Sequence, residues 1–125
     1  MIDSKLIDSS VWLSYFFNGT YADVIDSEEI FLLSVLSLFE IKTKLIKSNL
    51  DSSKIIQSID FIKKKSLIIP LDVEITEKAI DFAINNNLPT VDWLIYATAI
   101  NNNSQLITLD NDFRDLSNVL ILSRD

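Results

Sequence analysis

Leu106-Ile107-Thr108-Leu109-Asp110-Asn111-Asp112-Phe113 is the stretch whose reading decides the fold. A short, almost wholly apolar run passes directly into two carboxylates one residue apart. Such a run is too short for a helix and reads as a strand buried on both faces. The same pattern recurs on either side. Val119-Leu120-Ile121-Leu122 follows it, after a short helix near Asp112–Leu116. Upstream are Leu67-Ile68-Ile69-Pro70-Leu71, with proline at the strand's end where its missing N–H does least harm, and Ile30-Phe31-Leu32-Leu33. Leu6-Ile7, with flanking residues, forms the first strand and ends near Asp8.

Helical periodicity fills the intervals. Ser9 or Ser10 caps a helix carrying Val11, Trp12, Leu13, Tyr15 and Phe16, ended by Asn18-Gly19. A short helix fits around Tyr21–Ile25. Two longer ones run over 35–47, with Leu38, Phe39, Ile41, Leu45 and Ile46 on the apolar side, and over 52–65, with Ile55, Ile56, Ile59 and Ile62. Residues 73–86 are amphipathic through Ile75, Ala79, Ile80, Phe82 and Ala83, and Thr90 opens a helix in which Ala97 and Ala99 permit close packing. Strands alternating with helices imply an α/β fold with a mostly parallel sheet of four to five strands, covered on both faces. With no linker or repeat, residues 1–125 read as one domain, a size that supports a continuous core when 48% of residues are hydrophobic.

Composition narrows the chemistry. The chain has no cysteine, which excludes disulfides, thiol nucleophiles and thiolate metal sites, and no histidine, which excludes imidazole acid–base catalysis. Eighteen acids against eleven bases favour hard oxygen ligation of magnesium or manganese. The net charge of −7 is uneven: residues 42–65 carry seven lysines and two acids between two acidic ends. No apolar run approaches the roughly 20 residues that span a bilayer. Met1-Ile2-Asp3-Ser4-Lys5 does not open a signal peptide, so the protein is expected in the cytoplasm and away from membranes.

Parallel sheets bind ligands at the carboxyl ends of their strands. Asp8 follows the first strand and Asp110 the fourth, with Asp112 two residues on. Glu40 lies early in the helix after the second strand, and Asp92 in the first turn of the helix that Thr90 opens. Each acid has a purely structural use. Asp8 and Asp110 can cap the helices after them, Ser37-Leu38-Phe39-Glu40 reads as a capping box, and Asp92 can meet the positive end of its own helix. Those uses leave unexplained why apolar residues hem in each acid. Crowded carboxylates repel unless protonated or neutralised by a cation.

Four segments now stand in order: Leu6-Ile7-Asp8-Ser9-Ser10-Val11-Trp12, Leu38-Phe39-Glu40-Ile41, Val91-Asp92-Trp93-Leu94-Ile95-Tyr96-Ala97-Thr98-Ala99 and the opening stretch at 106–113. Together they resemble the signature blocks of the PIN domain, with the nearest likeness to VapC-like toxins of toxin–antitoxin pairs. The resemblance spans essentially the whole chain. It implies a metal-dependent endoribonuclease that hydrolyses RNA phosphodiesters with Mg2+ or Mn2+. Asp8, Glu40, Asp92 and Asp110 match the family's four acids, with Asp8 and Asp92 as its most direct metal ligands. Ser9 matches a hydroxyl near the metal, Thr108 the polar residue of the last block, and Asp112 an accessory acid. It also implies a homodimer and a small antitoxin partner that inserts into the acidic groove. Trp93 and Tyr96 depart from the small residues usual in the third block, which bears on the pocket's width and the helix packing. The exposed aromatics expected among Trp12, Tyr15, Phe16 and Phe17 can serve the core or an interface.

Beside this, Lys42, Lys44 and Lys47, beyond Glu40, are candidate contacts to the RNA backbone. A phospho-acceptor receiver domain would need an acidic pair after the first strand and a lysine after a late one, and neither is present. A toprim-like reading of Asp110 and Asp112 lacks the early glutamate and glycine-rich turn. The remaining alternatives are a catalytically silent PIN-like scaffold and a housekeeping RNA-processing nuclease.

Overall fold

The computed structural model describes residues 4–124, so the expected 1–125 span and the N-terminal Met1–Asp3 stretch extend beyond the described residues. Five strands form one parallel sheet: β1 (Ser4–Ile7), β2 (Phe31–Ser34), β3 (Ser66–Ile69), β4 (Ser104–Thr108) and β5 (Val119–Ile121), in the order β3-β2-β1-β4-β5. The helices are α1 (Ser9–Asn18), α2 (Ala22–Ile25), α3 (Val35–Lys47), α4 (Ser52–Lys65), α5 (Val73–Ala83) and α6 (Thr90–Asn101), with a 3-10 turn at Asn111–Phe113. Among the described residues, no helix is long and apolar enough to cross a membrane.

The two-residue period of the strands divides the core. Ile7, Phe31, Leu33 and Ile107 join the layer under α1, α3 and α4. Leu6, Leu32 and Leu106 point the other way, into the layer built on α5 and α6. Register keeps the faces matched, with Leu6 opposite both Leu32 and Leu106, and Ile7 opposite Ile107. After β1 the chain builds outward through β2 and β3, then returns to place β4 on the other side of β1. The strand order therefore reverses at β1/β4, and the crevice outside the carboxyl ends of those strands is where such a sheet takes a ligand.

Several local expectations are corrected. Of the three caps the sequence offers for α1, Asp8 rather than Ser9 or Ser10 holds the N-cap position, although its side chain makes no capping bond. Gly19 does end that helix, at φ +70, with its N–H on the Tyr15 carbonyl. The helix after β2 is capped by Ser34, whose hydroxyl accepts from Leu36 N–H at 3.1 Å, so the Ser37–Glu40 capping box does not form. Phe39 and Ile46 lie outside the apolar stripe of α3, 73% and 55% exposed, because their helical phase turns them away from Ile41 and Leu45. Ile56 on α4 and Ile80 on α5 are exposed for the same reason. Of the four aromatics near α1, Trp12 is fully buried and only Phe17 is exposed.

Candidate active site

The cleft forms where the ladder between β1 and β4 runs out. Ile7 pairs with Ile107, so one residue further Asp8 stands beside Thr108. The Thr108 hydroxyl donates to Asp8 Oδ2 at 2.8 Å, and the Ser10 hydroxyl donates to the same oxygen at 2.8 Å. Both hydroxyls are aimed by backbone groups that can only donate. Asp110 N–H binds Thr108 Oγ1 at 3.0 Å and Leu109 N–H binds Ser10 Oγ at 3.1 Å. Each hydroxyl proton is thus directed to Asp8, and the carboxylate is locked in place. Burial pushes the Asp8 pKa up, the Thr108 and Ser10 hydrogen bonds oppose that rise, and the charge of Glu40 adds to it.

Around Asp8, a cleft of about 560 Å³ takes in Glu40 from α3, Val91, Asp92 and Ile95 from α6, and Asp110 and Asn111 after β4. Ser9 Oγ donates to Glu40 Oε1, and Lys44 lies 3.7 Å from the same carboxylate one helical turn on. Asp110 Oδ1 accepts from Asp112 N–H at 2.9 Å, so Asp110 does cap the 3-10 turn. That bond leaves its carboxylate beside Asp92. Asp92, Asp110 and Asp112 each offer a carboxylate oxygen, and those oxygens lie within 4.8 Å of one another. The exposed Asp112 stands at the rim; it does not line the cleft. Asp92 registers the crowding. Partial burial, then the charges of Asp110, Asp8, Asp112 and Glu40, raise its pKa from the ordinary 3.8 to about 6.

The donor set fits a hard divalent cation. Oxygens about 2.0–2.1 Å from an octahedral ion are separated by roughly 3–4 Å, so a small contraction of the Asp92–Asp110–Asp112 group suffices to embrace one. Asp8 and Glu40 lie outside that tight group but line the same cleft.

The four acids expected at one edge therefore share one cleft, with Ser9 and Thr108 bonded to two of them. The lysines divide. Lys44 lines the cleft, and Lys47, seven residues from Glu40, is almost in phase with it. Lys42 is about 200° from Glu40 around the helix and faces the other flank of α3. Trp93 and Tyr96 do not narrow the cleft. They turn into the α5–α6 layer, where they pack with Phe82 at ring separations of 5.0–6.2 Å. Ser10, Asn111 and Arg124 also line the cleft, beyond the residues the sequence points to. A second serine directly after the Asp8-Ser9 pair was a usable signal for Ser10; nothing local marks Arg124.

Comparison with known proteins agrees with the fold. The family model described as PIN domain matches residues 5–119. Among solved structures, a toxin–antitoxin complex from Klebsiella pneumoniae superposes with a TM-score of 0.80 at 19% identity, covering 94% of this chain and 96% of that one. VapBC2 from Rickettsia felis, bound to a DNA fragment from its promoter, gives 0.76 at 15% identity over 98% and 100% of the two chains. The sarcin-ricin-loop-cleaving VapC toxin of Mycobacterium tuberculosis gives 0.74 at 16% identity over 96% and 100%. No curated protein sequence matches this chain significantly.

Proposed function

The chain belongs to the PIN domain family, and from that premise we propose that it is a metal-dependent endoribonuclease, the toxin of a VapBC-type pair. The observation that carries this reading is the meeting of Asp92, Asp110 and Asp112 within 4.8 Å, at the edge of a cleft that Asp92 and Asp110 line together with Asp8 and Glu40. A cluster of that charge with no lysine among its closest members is unfavourable on its own and suited to a divalent ion.

Magnesium or manganese bound there would supply an activated water and neutralise charge on the phosphate. Asp92, Asp110 and Asp8 would hold the ion, with Asp112 as an accessory carboxylate at the rim. Asp8 is oriented by Thr108 and Ser10. Glu40, fixed by Ser9 and steadied by Lys44, lines the same cleft and would orient the attacking water. Lys44 and Lys47 steer the RNA backbone along α3, so binding weakens as salt rises. A small antitoxin protein and a second copy of the chain are the partners that the VapBC assignment brings. Exposed apolar side chains such as Phe39, Ile46, Val73 and Ile84 provide surfaces for them.

The test is cleavage of a mixed structured-RNA substrate with and without manganese, beside Asp92→Asn. Cutting that requires metal and vanishes in the variant supports the assignment. Cutting that survives excess EDTA, or is equal in both proteins, overturns the carboxylate mechanism. Absence of both cutting and manganese binding would leave a silent scaffold.

A further inference from the structure

Beside the acidic cleft lies a second cavity of about 630 Å³, and the two share Leu109 and Arg124. Its walls come from the end of α1, the turn into α2 and the C-terminal segment after β5. Ser14, Asn18, Thr20, Tyr21 and Ser123 give it a lining of hydroxyl, amide and aromatic groups. Its charged members are Asp23 and Arg124, of opposite sign, so it lacks the carboxylate excess of the neighbouring cleft. We infer that this cavity is a nucleotide subsite, taking the base and ribose that flank the scissile phosphate of a single-stranded RNA, with Arg124 contacting the backbone between the two cavities. The inference rests on the nuclease reading above.

Three features favour that occupant. First, the Tyr21 hydroxyl donates to the Ser123 carbonyl at 2.8 Å and pins the ring to the C-terminal segment. Tyr21 also holds φ at +60, which is unfavourable for a residue with a large side chain and is found where a particular orientation is enforced. A fixed ring is what an unstacked base packs against. Second, Asn18 presents an amide with donor and acceptor side by side, suited to a base edge, and the Ser14 and Thr20 hydroxyls bond to one another, leaving one proton for a ribose oxygen. Third, charge sorts the ligand. Phosphate belongs in the metal-binding cleft and beside Arg124, whereas a base and its sugar are neutral and suit the uncharged wall. An amphipathic peptide helix would instead want an apolar groove.

The test is equilibrium binding of a short fluorescent single-stranded RNA, with calcium in place of magnesium or manganese to suppress cutting. Tyr21→Ala is expected to weaken binding about ten-fold, in the range that stacking on one aromatic supplies. Asn18→Ala, on an exposed residue at the end of α1, and Arg124→Ala should each weaken it several-fold without the folding risk of the Tyr21 change. An abasic residue scanned along the RNA should, at one position, make Tyr21→Ala silent, because base and ring are then lost together. Unchanged affinity in all three variants overturns the subsite. So does unchanged RNA affinity alongside lost affinity for an arginine-rich peptide. Wild-type protein that binds no RNA overturns both the subsite and the nuclease reading. A protein that shows the abasic cycle but never cuts retains the subsite and loses only the nuclease.

Discussion

Asp92 and Trp93 are consecutive residues of α6 that serve different parts of the molecule, the cleft and the packed α5–α6 layer. Asp92 faces the cleft, where partial burial and then the charges of four other carboxylates raise its pKa. Trp93, 2% exposed, packs against Phe82 and Tyr96. On the cleft side, position is held by directed hydrogen bonds at the cost of repulsion. On the packed side it is held by buried area, even with the Trp93 indole N–H left unpartnered. Stability and site geometry are therefore drawn from different faces of one helix, and substitutions on the two faces should separate.

The largest effect is expected from Trp93→Ala. Emptying a buried indole site typically costs about 3–5 kcal/mol, which urea denaturation would record as an early midpoint with metal affinity per folded molecule unchanged. A loss below about 1 kcal/mol would mean the aromatic layer does not carry the fold, since even modest core truncations exceed that. Asp92→Asn should do the reverse. Cleavage should fall by more than about 100-fold if Asp92 is the direct ligand proposed, since even residues that only support ligands account for 10–100-fold. The apo protein should unfold no earlier than wild type, since a repulsive charge has gone. A variant that cuts normally, or that unfolds with Trp93→Ala, would dissolve the contrast.

The packed side was more legible in the sequence than the cleft. Strands at 106–109 and 119–122 and helices over 35–47 and 52–65 follow from apolar runs and helical periodicity, and the structure returns them within two residues. Periodicity failed where it could not tell a buried flank from an exposed one, as at Phe39 and Ile46. The four acids were legible because each sits at the end of a strand or the start of a helix, positions that topology gathers. Their partners were not. Ser10 clamps Asp8 only because Leu109 N–H, 99 residues away, aims its hydroxyl. Arg124 reaches the cleft from a segment without pattern. Trp93 and Tyr96 raised the question of a narrower pocket, and only the packing of α6 on α5 shows them turned away.

Thr108→Val sharpens the comparison from within the cleft. The swap preserves shape but deletes the hydrogen bond to Asp8 and the acceptor for Asp110 N–H. Manganese affinity measured by calorimetry should drop about 10–100-fold, as for a residue that orients a ligand without touching the metal. Stability should fall by about 1–3 kcal/mol for the buried groups left unpaired. A drop in stability with metal affinity intact would make Thr108 a structural residue and return it to the packed side.

The smallest effect is in the pH dependence of the metal-free protein, and its sign is fixed by the partial burial of Asp92 together with the carboxylate crowding. Asp92 titrates at about 6 in the fold, against an ordinary 3.8, so the native state holds its proton more tightly than the unfolded chain. Its contribution to stability is then greatest below about pH 4 and declines as pH rises through about 6, the opposite of an ion-paired carboxylate. The measurement is the difference in denaturation midpoint between wild type and Asp92→Asn, which isolates the contribution of this one carboxyl. That difference should move against wild type between pH 4 and 6 and stay level above it. Saturating manganese should reverse it, because a bound cation turns the same repulsion into ligation and stabilises only the fold that can hold it. A flat difference without metal would mean that solvent already screens the cluster, and the electrostatic cost assigned to the cleft would have to be withdrawn.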